Sequence, residues 1–266
     1  MKIALMDSGI GLLAAAAALR ELRPDADLVL STDPDGMPWG PRTPADVTEH
    51  ALAVARAAAA RRPDALIVAC NTASVHALDA IRAELEPGIP VIGTVPAIKP
   101  AAAAGGPVAI WATPATTGSA YQRGLIAQFA AGAEVTEVPC PGLADAVERA
   151  DERATAEAIA AAAARTPAGL GALVLGCTHY ELVAEQIRAA LGEPEDLVLY
   201  GSAQAVAVQA LRRAQPGADT DAGGGSGDGT LLVLGSGRVV PLPAAARSYR
   251  EGRLLLSEDL AAPVGR

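Results

Sequence analysis

The chain has 266 residues, 51% of them hydrophobic, with a formal net charge of −9 and an isoelectric point near 4.9. No basic face is available for phosphate contacts, which argues against a nucleic-acid partner. No uninterrupted apolar run reaches the roughly 20 residues a bilayer span needs, so a soluble protein without a membrane partner is expected.

The opening MKIALMDSG holds too short an apolar run for a signal peptide and no processing site, so structure is expected to begin at once. KIALMD at 2–7 reads as a strand and leads to a helix over 12–22. ADLVLS precedes a helix over 44–61, DALIVAC precedes one over 73–86, and PVIG follows. The pattern then starts again: PVAIWAT before 116–130, AEVTEV before 143–164, GALVLGC before 181–191, and DLVLYG before 203–214. Strand-helix alternation predicts α/β architecture, a mostly parallel sheet flanked by helices. Its repetition predicts two similar lobes, the first formed by residues 1–95 plus 206–266 and the second by 96–205. The glycine-rich run 216–229 reads as a flexible surface loop, TLLVLGSGRVVPL as a returning strand pair, and the tail after Arg247 carries little pattern.

Two junctions share one shape. In ALIVACNTASVHAL (65–78) and ALVLGCTHYELV (172–183) an aliphatic run stops at a cysteine, hydroxyl or amide side chains follow, and a helical pattern leads to Ile81-Arg82 or Ile187-Arg188. Ligands of doubly wound sheets bind beyond the carboxyl ends of strands, so Cys70 and Cys177 are both expected at that edge. A helix dipole there is expected to pull a thiol below its usual ~8.5. Free cysteine is often only a small buried hydrophobe, but two at matched positions point to shared chemistry. Inverting a carbon centre by proton transfer needs two acid/base groups on opposite sides of the substrate.

Other uses of these residues fit the sequence less well. Cys70, Cys140 and Cys177 are an odd number without disulfide-framework spacing, which suits free thiols in a reducing cytoplasm, although a redox pair is an alternative. Cys177 and His179 lie two apart with no C-x-x-C and no second histidine at ligand spacing, so no metal is expected. Pyridoxal phosphate needs a Schiff-base lysine, and the chain holds only Lys2 and Lys99, neither in a convincing site, so no cofactor is expected.

Supporting residues flank the thiols. Asp7 could hydrogen-bond a nearby base and the amides after Ser8 could hold an anion, with a simple helix cap as the alternative. Trp39 and Gly40 in GMPWGP read equally as an ordinary turn. His179 could assist Cys177 or contact a carboxylate, whereas His50 and His76 lie in helix patterns with no partner and read as structural. Thr113 and Thr116 could bind an anion or cap a helix. Glu148 either faces the cleft or is exposed.

Taken in order, DSGIG, MPWG, CNTAS, WATPAT, CPGLADAVE and GCTHY resemble the glutamate racemases of the cofactor-independent aspartate/glutamate racemase superfamily, over residues 2–211 or so. The resemblance implies two pseudo-symmetric domains with the site in the cleft between them. It also implies interconversion of L- and D-glutamate for peptidoglycan synthesis by a cytoplasmic homodimer. Cys70 and Cys177 would be the proton donors and acceptors, with Asp7 assisting the first and His179 and Glu148 the second. Substrate contacts would fall on Asp7, Ser8, Trp39, Gly40, Asn71, Thr72, Thr113, Thr116, Thr178 and His179. The chain departs from the family pattern at Leu12, where a glycine is usual, at Trp39 for tyrosine and at Glu181 for proline. The usual aspartate before the last helix is missing from LYGSAQA. Two alternatives stand beside this reading: a racemase or isomerase of another acidic compound such as aspartate, and a catalytically silent protein that binds an acidic ligand.

Overall fold

The protein is described here by a computed structural model covering residues 1–192, 195–215 and 229–256. Strands β1 (Lys2–Met6), β2 (Asp27–Thr32), β3 (Ala65–Val68) and β4 (Val91–Gly93) build one sheet, and β5 (Val108–Ala112), β6 (Val135–Pro139), β7 (Ala172–Leu175) and β8 (Val198–Tyr200) a second. The chain then returns to the first sheet as β9 (Leu231–Gly235) and β10 (Arg238–Val239), the pair expected from TLLVLGSGRVVPL. The sheet orders are β10-β9-β2-β1-β3-β4 and β6-β5-β7-β8, parallel throughout except for β9 with β10.

Twelve helices are seen among the described residues. They are α1 (Leu13–Leu22), α2 (Pro44–Ala59), α3 (Asn71–His76), α4 (Leu78–Leu85), α5 (Ile98–Ala103), α6 (Ala120–Phe129), α7 (Leu143–Glu148), α8 (Glu152–Ala163), α9 (Thr178–Glu181), α10 (Ala184–Ala190), α11 (Ala203–Ala214) and α12 (Arg250–Leu255). Local chemistry fixes several starts. Thr43, Ser119 and Asp151 each accept a backbone N–H from three residues on, capping α2, α6 and α8.

Both faces of the parallel sheets are covered, as their apolar runs require. Alternate residues of β1 part to opposite sides. Ala4 and Met6 pack with Val47, Ala51 and Val54 of α2, while Ile3 and Leu5 join a core with Leu13 and Leu19 of α1 and Leu211 of α11. That second core is continuous with the other sheet through Trp111, Leu173 and Leu175. A third cluster, around Val108, Ile110 and Val174, lies beneath Ile98 and Ala101 of α5.

The helices depart from the sequence pattern in informative ways. The runs expected over 73–86, 143–164 and 181–191 are each broken. Ala77 divides α3 from α4, Ala150 adopts φ 51° between α7 and α8, and Leu182 and Val183 separate α9 from α10. The first member of two of these pairs starts immediately after a cysteine, so Cys70 and Cys177 are themselves the cap residues of short turns. Residues 10–12 form a 3-10 turn ahead of α1, with Leu12 in the core. Helix α5 lies where no helix was expected, and α12 in the tail that carried little pattern. Tyr249 before α12 ties down that tail by donating its hydroxyl to the Val147 carbonyl at 2.6 Å. Of the glycine-rich run, residues 216–228 lie outside the described residues, and Gly229 donates its amide to Pro24.

Candidate active site

The sheets bring the two cysteine junctions together because β3 and β7 each end with a single residue between the strand and a thiol. Cys70 and Cys177 line one cavity of about 430 Å3. Asn71 stitches its floor, donating from Nδ2 to the Gly176 carbonyl at 2.8 Å. The other Asn71 side-chain atom, Oδ1, is buried without a partner.

Every residue expected at the site lines this cavity. Asp7, at the end of β1, accepts the Ser8 amide on Oδ1 at 2.7 Å and the Thr178 hydroxyl on Oδ2 at 3.1 Å. Thr113 and Thr116 join their hydroxyls at 3.2 Å on the wall, where Ser8, Thr72 and Gly40 also lie. Glu148, the last residue of α7, is drawn inward rather than exposed: its Oε2 meets His179 Nε2 at 2.8 Å and accepts the Ile10 amide at 2.8 Å. His179 Nδ1 in turn faces Cys177 Sγ at 3.8 Å. A Cβ on Gly9 would collide with the Glu148 carboxylate, and one on Gly11 with the Thr178 hydroxyl, so glycine at these two positions lets the segment lie close against this side.

The electrostatics correct one expectation. Cys70 is not acidified: burial pushes its thiol well above the ordinary value, and the Asp7 and Cys177 charges add to the rise. The amides of α3 work in the opposite sense but are outweighed. Burial likewise raises the Asp7 carboxyl, against opposing help from His179, Ser8 and Thr178. Burial also disfavours a charged His179, yet its bonds to Cys177 and Glu148 prevail and hold it well above its usual range. Cys140, also on the cavity wall, is pushed up to about 12 by burial.

A second network escaped the sequence reading. Trp39 is buried, and its Nε1 donates to Asp33 Oδ2 at 3.0 Å. His50, expected to lack a partner, places Nδ1 2.8 Å from that same oxygen, and Ser236 donates its hydroxyl to Asp33 Oδ1 at 3.2 Å. Asp33 thus ties the cavity-lining segment 37–41 to α2 and to the β9–β10 turn. Its partners come from positions 39, 50 and 236, so no local spacing announces it. His76 is exposed on α3, away from the cavity lining. Neither lysine lines the cavity: Lys2 bonds the Arg61 carbonyl and Lys99 lies over the Phe129 ring.

Known proteins resemble this chain in sequence and in fold. A model of the Asp/Glu/Hydantoin racemase family matches residues 12–210. A glutamate racemase of Roseiflexus sp. (strain RS-1) is 39% identical over 213 residues, 77% of this chain and 76% of that protein. One of Methylococcus capsulatus (strain Bath) is 34% identical across 91% of this chain and 95% of its own length. The crystal structure of Escherichia coli glutamate racemase in complex with L-glutamate and the activator UDP-MurNAc-ala superposes with a TM-score of 0.75 at 28% identity, covering 93% of this chain and 91% of that one.

Proposed function

The chain belongs to the Asp/Glu/hydantoin racemase family, and from that footing we propose that it interconverts L- and D-glutamate with Cys70 and Cys177 as its two bases. It is an amino-acid racemase, an isomerase. One observation carries the two-base reading: two thiols at the ends of interior strands of different sheets open on the same cavity.

With the α-carbon of glutamate between the sulfurs, one thiolate takes the α-proton from one face while the opposite thiol delivers its own proton to the other. The reverse reaction exchanges these roles. Cys70 rests as a thiol because of its burial and the nearby Asp7 charge. When Cys70 acts as the base, Asp7 accepts its proton, a role suited to a carboxyl whose affinity for protons is raised. On the other side the imidazolium of His179, supported by Glu148, stabilises the Cys177 thiolate through Nδ1.

The unpartnered Oδ1 of Asn71 is the acceptor for the substrate ammonium. Among the described residues no lysine or arginine lines the cavity, so the carboxylates fall to the hydroxyls of Ser8, Thr72, Thr113, Thr116 and Thr178. Trp39 and Gly40 shape the wall against the substrate chain. The same footing supports a reaction without cofactor, a homodimer in the cytoplasm, and D-glutamate destined for peptidoglycan of the cell wall. The domains proposed are 1–95 plus 206–266 and 96–205; the return of β9 to the first sheet supports that division.

The test is solvent exchange. Protein incubated with L-glutamate in deuterated water is expected to replace the α-hydrogen, seen by NMR, as optical rotation decays. Exchange confined to aspartate would move the substrate assignment, and glutamate binding without exchange would make the protein a silent binder.

A further inference from the structure

Glu181 departs from the family pattern, and the geometry gives it a task. The turn α9 has four residues, too few to hold itself together by its own hydrogen bonds. It is held from outside, each residue bonding a different element. Thr178 bonds Asp7, His179 bonds Glu148, and the Tyr180 hydroxyl donates to the Cys140 carbonyl at 3.4 Å. Glu181 reaches the crossover between β8 and α11, where the chain leaves the second sheet for the helix packed on α1.

There Glu181 Oε1 accepts both the amide and the hydroxyl of Ser202, each at 2.8 Å, and Oε2 accepts the Ala203 amide at 3.2 Å. Ser202 stands at the cap position of α11 but makes no cap bond itself, since its hydroxyl serves Glu181. A Cβ on Gly201 would collide with the Glu181 carboxylate, so glycine there leaves room for the approach.

We infer that Glu181 is a positioning residue: by pinning the end of its turn to the crossover, it fixes His179 against Cys177. The inference rests on the racemase reading of the site. Glu181 touches neither thiol, and its effect passes through the turn it anchors. Misplacing a catalytic group by about 1 Å can cost on the order of 10²-fold in rate.

The experiment compares Glu181→Ala, Gly201→Ala and the double variant Glu181→Ala/Ser202→Asp with the native protein, reading kcat, KM and urea stability. Glu181→Ala is expected to lower kcat about tenfold or more with KM changed less than about threefold, because Thr178 alone of the proposed carboxylate contacts lies on the loosened turn and the ammonium acceptor Asn71 opens α3, after a strand of the other sheet. Aspartate at 202 restores the cap of α11, and with it stability, but not kcat. Recovery of kcat together with stability would overturn the inference, since Glu181 would then be only a cap. Should Glu181→Ala fail to fold, Gly201→Ala decides: it keeps every bonding group but drives a methyl into the carboxylate, and unchanged kcat overturns the inference. A native protein that does not exchange the α-hydrogen of glutamate sinks the racemase reading instead. The His179 ring titration then tests the positioning role alone; it moves in Gly201→Ala if the role is right and stays put if it is wrong.

Discussion

His179 Nε2 and Glu148 Oε2 stand 2.8 Å apart, and the same carboxylate oxygen accepts the amide of Ile10 from the 3-10 turn ahead of α1. The pair therefore has one anchor in each half of the molecule. Glu148 adds to the Cys177 bond in favouring a charged imidazole and fixes where the ring points.

Removing that charge tests the pair. In Glu148→Gln the His179 pKa should fall toward its ordinary value of 6.5, because a partner that favours the charged ring is lost. The native protein gains stability from His179 that is fully present below 6.5 and is lost as pH rises through the raised folded value. The stability gap between native and variant should therefore narrow with increasing pH. Ring-proton NMR titration and urea melts at several pH values measure both effects; a His179 titration unmoved by the substitution would refute the account.

Each thiol should be indispensable. Cys70→Ser and Cys177→Ser are expected to lower kcat by at least 10²-fold, the lower range of acid–base contributions, while glutamate still binds. Calorimetric titration and polarimetry separate binding from turnover. Racemisation at near-native rate in either variant would remove that thiol from the reaction.

Alkylation should separate the three cysteines. Cys177 is partly exposed, while Cys70 and Cys140 are buried with thiols pushed upward. Iodoacetamide at neutral pH should thus label Cys177 first, with glutamate protecting it. Peptide mass spectrometry gives the order, and early labelling of Cys140 would contradict the burial described.

The turn at Gly11 leaves no space for a methyl. Gly11→Ala should destabilise the protein by about 1–3 kcal/mol, the usual cost of overpacking, and depress activity by shifting Thr178 and His179. Urea denaturation supplies the first value; a variant with native stability and native rate would show that the close approach is dispensable.

Asp33→Ala leaves the buried Trp39 N–H without its acceptor, at a cost of about 1–3 kcal/mol. Because the freed segment 37–41 lines the cavity, KM should rise more than kcat falls. A KM left unchanged would detach Asp33 from the site.

Sheets and thiols were legible in the sequence for one reason. Runs such as ALIVAC and ALVLGC are apolar on both faces and end abruptly, which is what an interior parallel strand running into a binding edge requires. Helix breaks at Ala77 and Leu182 were not legible, because helix propensity persists across them, whereas the start of α8 carries a local sign in the cap Asp151 that a continuous helix over 143–164 overran. The upward push on Cys70 was hidden too. A helix dipole can be read from local order, but the burial and the Asp7 charge that outweigh it come from the assembled fold. Glu181 was visible as a departure, but its partners twenty-one and twenty-two residues on were not.

The bond from Asn71 to Gly176 gives the cleft a sewn seam. The exposed cavity-lining residues fall on three segments, each with proline: Pro38 and Pro41, Pro114 and Ala115, and Pro141 with Gly142 and Asp145. An amino acid entering the cleft therefore passes rims stiffened by proline, above a seam that joins the segment after Cys70 to the residue before Cys177.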